Sequence, residues 1–166
     1  MAEQESHTLL VLGSSPSGPT MTATIRQKPV IVGESNPYGG DPYFALYPSP
    51  DGCSGHRLCC TILGMDRSEY LDLFDRTNLC TGKWSMRAAR ARAVEIRAIP
   101  TWFILCGAKV ARAWGLPFSP LEVFSDVLVL PHPSGLCRLW NEPGFIRRTR
   151  EVVKKFIPHL AVAIGG

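Results

Sequence analysis

From residue 29 onward, short apolar runs alternate with polar stretches rich in glycine and proline. Val30-Ile31-Val32 is apolar and β-branched and predicts a strand, followed by a long polar loop from Gly33 to Tyr43. Ser54 to Leu63 has an apolar face at helical spacing, Glu69 to Leu73 reads as a further helical turn, and Phe74 to Cys80 reads as a strand. Ser85 to Ala98, rich in alanine and arginine with Ser85 placed to cap it, predicts a helix with a basic face. Trp102 to Cys106 is the next strand, and Gly107-Ala108 opens a helix reaching about Trp114. Pro117 and Pro120 break the pattern before the last buried strand, Val127 to Leu130. A final helix is expected from near Pro143 to about Ile164, bent at Pro158.

Strands that alternate with helices imply a mostly parallel sheet covered on both faces. The expected fold is an α/β, three-layer α/β/α sandwich around about four strands. Residues 1–28 hold one apolar run, Leu9 to Leu12, and then Gly13-Ser14-Ser15-Pro16-Ser17-Gly18-Pro19, which reads as a flexible N-terminal arm.

Composition narrows the class without choosing a function. A length of 166 residues, 45% hydrophobic and 19% charged, suits one domain with a single core. The net charge of +4 permits contact with a polyanion without requiring it. Glu3 and Glu5 stand where a secretory signal carries bases, and no apolar run is long enough to span a membrane, so a cytosolic protein is expected. The six cysteines then read as buried free thiols. Cys53-x-x-His56-x-x-Cys59-Cys60 also has metal-like spacing, with His56, Cys59 and Cys60 on one helical face; small buried thiols fit the same spacing.

The candidate chemistry lies in two loops that directly follow predicted strands, where ligands bind in such folds. In Pro131-His132-Pro133-Ser134-Gly135-Leu136-Cys137-Arg138, two prolines restrict the backbone around a histidine and Gly135 lets the chain turn. It reads either as an active-site loop or as a strand end with ordinary turn residues. The other loop is Gly33-Glu34-Ser35-Asn36-Pro37-Tyr38-Gly39-Gly40-Asp41-Pro42-Tyr43.

Taken together, the two loops resemble the motifs of the uracil-DNA glycosylase superfamily. His132-Pro133-Ser134-Gly135-Leu136-Cys137-Arg138 is similar to the His-Pro-Ser-Pro-Leu of its uracil-specific class and to the Asn-Pro-Ser-Gly-Leu-Ser-Arg of its mismatch-specific class. Asn36-Pro37-Tyr38 matches the end of the first motif with one extra residue after Gly33, and Gly40-Asp41-Pro42-Tyr43 offers a second register. Gly55-His56-Arg57-Leu58 and Thr77-Asn78-Leu79 look like the Gly-x-x-Leu helix and the base-binding asparagine strand. The resemblance covers about residues 29–141 and makes residues 29–166 a glycosylase-like domain. The superfamily branch that holds a four-iron cluster has two cysteines paired near the N-terminus, which this chain lacks, so no cofactor is expected.

The resemblance implies a DNA glycosylase acting on uracil or a modified pyrimidine flipped out of DNA, in base excision repair or anti-phage defence. Breaking an N-glycosidic bond builds positive charge on the sugar and negative charge on the base, which calls for a positioned water and donors aimed at the base oxygens. By resemblance Asn36 holds the water and His132 donates to the pyrimidine O2. An amide is not a true base, which leaves Asp41 or Glu34 as carboxylate alternatives. Asn78 would read the pyrimidine edge, with a strand-end cap as its plain structural reading, and Phe44 or Tyr47 would stack on the base or serve as core. Tyr38 would press on C5 and favour uracil, or, if displaced, leave room for a 5-substituted base. Leu136 matches the wedge that fills the gap in the duplex, and Ser134, Gly135, Arg138 and Lys83 would contact DNA beside it. Arg87, Arg90, Arg92, Arg147, Arg148, Lys154 and Lys155 read as solvated helix faces. DNA is thus the expected partner, the expected chain a monomer. The rivals are a non-catalytic DNA-binding member and an enzyme that modifies a hypermodified pyrimidine.

Overall fold

Four parallel strands set the frame: β1 (Val30–Ser35), β2 (Asp75–Cys80), β3 (Phe103–Cys106) and β5 (Val127–Leu130), with the two-residue β4 (Val123–Phe124) antiparallel at one edge. The computed structural model describes residues 27–36 and 40–165. Most of the proposed N-terminal arm therefore lies outside the described residues. The sheet order is β2-β1-β3-β5-β4, with Val30 level with both Asp75 and Phe103, and Phe103 with Val127.

Side-chain alternation along these strands produces the three layers. Ile31, Ile104, Leu128 and Leu130 face one way, into a core with Leu58, Ile62, Tyr70, Phe74, Phe145 and Val153. Val30, Val32, Phe103, Leu105, Val127 and Val129 face the other way, onto Ala89, Ala93, Ile96, Val110 and Trp114. The first face is covered by the helical segment from Ser54, by α2 (Arg67–Leu73) and by α5 (Phe145–Phe156), the second by α3 (Met86–Arg97) and α4 (Ala108–Trp114). This is the expected α/β sandwich, with both faces buried as the apolar strands require.

Local signals explain the boundaries. Ser85 Oγ accepts from Ala88 N–H at 3.3 Å and starts α3, whose Arg87, Arg90 and Arg92 are exposed. α5 buries Phe145, Thr149 and Val153 and exposes Arg147, Arg148 and Lys155, while Lys154 is half-buried. It ends at Phe156, short of the expected Ile164, because Pro158 has no N–H to continue it and opens a 3-10 turn, Pro158–Leu160. The predicted helix from Ser54 starts as α1 (Ser54–His56) and widens into a π-helix, Arg57–Ile62, closed by Leu63 N–H on Leu58 O at 2.9 Å. β1 runs on to Ser35, into the stretch predicted as loop, since Gly33 and Ser35 pair with Asn78 and Cys80 of β2. Among the described residues no helix is long and apolar enough to cross a membrane.

Candidate active site

The His132 loop is held through its own carbonyls. Trp140 Nε1–H donates to His132 O at 2.8 Å, and Arg57 Nε–H, from the π-helix, donates to Pro133 O at 3.1 Å. Trp140 is buried against Phe145, their rings 5.2 Å apart, so its donor is anchored in the core. Ser134 N–H donates to His132 Nδ1 at 3.2 Å, which leaves the proton of the neutral ring on Nε2. Burial pushes the His132 pKa below its ordinary value; Glu34 opposes that shift and Lys109 adds to it. The ring is therefore an uncharged donor with a fixed tautomer.

At the end of β1, Glu34 is largely buried and its Oε2 lies 3.3 Å from Lys109 Nζ. Gly107 sits between Glu34 and His132: a Cβ there would lie 3.4 Å from Glu34 Oε1 and from His132 Cβ and Cδ2. Its φ of 107° is a second reason for glycine at the turn from β3 to α4. Gly33 plays a similar part for the asparagine of β2, since a Cβ on Gly33 would fall 2.4 Å from Asn78 Oδ1.

These groups open onto one cavity of about 730 Å³, lined by Glu34, Asn36, Asn78, His132, Ser134 and Gly135 from the strand ends, and by Phe44, Leu46, Tyr47, Ser49, Pro50 and residues 52–55 from the loop and helix start. Its size falls in the range of small-molecule sites, about 300–1,000 Å³. Phe44 is half exposed at 52%, and its ring meets Tyr47 edge-on at 5.3 Å. Their backbone is pinned from beneath by Tyr70 Oη–H donating to Leu46 O at 3.0 Å and Arg76 Nη1–H donating to Ala45 O at 3.0 Å. Gly55 permits that packing, because a Cβ there would strike Tyr47 O at 2.1 Å.

Of the residues singled out in the sequence, Glu34, Asn36, Phe44, Tyr47, Asn78, His132, Ser134 and Gly135 share this cavity. Asp41 does not: it is exposed and accepts from Tyr43 N–H at 3.0 Å, capping the 3-10 turn Pro42–Phe44, beside a separate cavity of about 20 Å³. Asn36 and Asn78 border both spaces. Leu136 is 92% exposed beyond the rim. Arg138 and Lys83 are exposed and line neither cavity. Tyr38 lies outside the described residues.

The Cys53 to Cys60 segment is built as packing. Cys53 Sγ donates to Tyr47 O and accepts from His56 N–H, each at 3.4 Å, and His56 Nδ1 accepts from Gly52 N–H at 3.0 Å. Burial, helped by Cys60, pushes the Cys59 thiol up to about 12, which disfavours the thiolate a metal would need. Among the described residues no cluster of three or more His, Cys, Asp or Glu side chains could hold a metal ion.

Sequence reasoning missed Lys109, Gly107, Arg57 and Trp140. Gly107-Ala108 looks locally like a helix start and Arg57 like part of a motif; their neighbours, residues 34 and 132–133, lie far away along the chain, beyond any local pattern. No family model, curated protein or solved structure matches the chain. The likeness to the uracil-DNA glycosylase superfamily thus rests on its short motifs.

Proposed function

We propose that the chain is a DNA glycosylase that hydrolyses the N-glycosidic bond of uracil or a modified pyrimidine flipped out of DNA. The observation that carries this reading is the meeting of Asn36, Asn78 and His132 with Phe44 and Tyr47 around one cavity of a size to take a base. A flipped pyrimidine stacks on Phe44 or Tyr47 and presents its edge to the Asn78 amide, which offers both a donor and an acceptor. The His132 Nε2–H points a neutral donor at the base oxygen on which negative charge develops. Asn36 holds the attacking water through its carbonyl, with Glu34 the carboxylate that lines the same cavity.

The exposed Leu136 suits a wedge, since an apolar side chain left 92% in water gains by entering a base stack. Chain and DNA then form the working complex, with one copy of the protein supplying the whole site.

The test is incubation with duplexes bearing uracil, thymine mismatches, and hydroxymethylated or glucosylated pyrimidines, followed by detection of free base and of alkali-labile abasic sites. Release of one of these bases with an intact abasic strand supports the reading. A modified base that stays attached to its sugar, or no release from any duplex, overturns it.

A further inference from the structure

Four parallel strands send groups into one cluster at their carboxyl ends: Glu34 from β1, Trp84 after β2, Gly107 and Lys109 after β3, and His132 after β5. Lys109 Nζ lies 3.3 Å from Glu34 Oε2 and 5.7 Å from the centre of the Trp84 ring, so its ammonium is held between a carboxylate and an aromatic face. The other carboxylate oxygen, Oε1, flanks Gly107, as do His132 Cβ and Cδ2, each 3.4 Å from where a Cβ would stand. Glu34 thus shares the lysine through one oxygen while its other oxygen and the His132 ring flank the same glycine.

That arrangement matters because an uncompensated carboxylate beside an imidazole favours its protonation. A proton added to Nδ1 would face the Ser134 N–H that now donates to it at 3.2 Å, two donors nose to nose, and the ring would have to leave its position. We propose, on the glycosylase reading above, that Lys109 is a positioning residue: by neutralising Glu34 it keeps the His132 ring uncharged and seated with its Nε2 donor toward the cavity. The opposing influences of Glu34 and Lys109 on His132 agree with this geometry. Of the other charged groups at this loop, Arg57 binds Pro133 O and Arg138 is exposed, and both are left unchanged in every variant below.

The test follows the His132 imidazole by nuclear magnetic resonance in protein labelled at histidine nitrogens, alongside the pH profile of single-turnover base release. In Lys109→Met the His132 titration moves to higher pH, and the acid limb of the rate moves with it, giving about a threefold loss at the limb's midpoint and none on the alkaline plateau. Lys109→Arg restores both. Glu34→Gln alone moves the His132 titration to lower pH, and Glu34→Gln with Lys109→Met brings it back toward the parent protein. A lysine that serves packing alone lowers the thermal midpoint without moving the titration, and that result overturns the proposal, as does a displacement that persists in Lys109→Arg. Titrations that move as described in a protein that releases no base uphold the Lys109 coupling while refuting the glycosylase reading.

Discussion

Gly33→Ala probes the proposed role of Asn78 in reading the base without substituting the asparagine itself. The added Cβ would stand 2.4 Å from Asn78 Oδ1, and 3.2 and 3.3 Å from two atoms of Leu46. Ordinary contact begins near 3.4 Å, so the Asn78 amide has to retreat by about 1 Å or swing into the cavity. A displacement of about 1 Å in a positioning group typically costs about 10²-fold in rate, and an unmade hydrogen bond to a desolvated base edge about 1–3 kcal/mol. The expected loss in single-turnover base release is therefore about 10- to 100-fold. Folding should hardly notice: Gly33 lies in regular β1, and alanine there reduces the unfolded chain's freedom by about 0.4–1 kcal/mol, offsetting the squeeze on Leu46. The assay pairs base release with a thermal melt, in Gly33→Ala alone and combined with Asn78→Ala. Since the glycine acts through the asparagine, the second substitution should add little to the first. A Gly33→Ala protein that keeps parental turnover, or losses that multiply in the double variant, would refute the assignment of Asn78 as the reader of the base.

Trp140→Phe keeps an aromatic ring in the core but removes the 2.8 Å donor to His132 O, so a thermal melt should show a loss of about 1 kcal/mol while base release falls by a larger factor. Leu136→Ala should slow base release from duplex more than from single strands, because only the duplex leaves a gap to fill; equal losses would remove the wedge. Since His132 has a folded pKa below its ordinary 6.5, the unfolded chain takes up its proton first on acidification. Its contribution to stability is therefore unperturbed above about pH 6.5 and becomes a penalty as pH falls from there toward the folded value. Thermal midpoints of the parent and His132→Gln, compared from pH 8 to pH 5, should diverge in the direction of relative loss for the parent.

The buried strands were legible because their apolar runs match the two-sided burial of a parallel sheet, and Ser85 announced α3 through its cap. Less legible was whatever depends on partners far along the chain. Gly33 to Ser35 look like loop, yet they are strand because β2 supplies their ladder. β4 is two residues long and exists only through pairing of Val123 and Phe124 with Leu128 and Val127. At the site, His132 and Asn36 stood out through local rigidity and motif. The pairing of Glu34 with Lys109 spans β1 to α4, and Trp140 reaches back to a carbonyl eight residues earlier, neither of which leaves a periodic trace. The second register at Gly40-Asp41 dissolved into a cap, because an aspartate before a proline-led turn finds a backbone N–H two residues on.

Single-turnover release of free base from one DNA duplex, compared between the parent protein and His132→Ala, tests the central claim most directly. A preorganised neutral donor in a part-buried site is worth about 3–4 kcal/mol at the developing oxyanion, so the variant should release base about 10²- to 10³-fold more slowly. Its thermal midpoint and DNA affinity should stay close to those of the parent. Parental turnover in a folded His132→Ala protein would contradict the account.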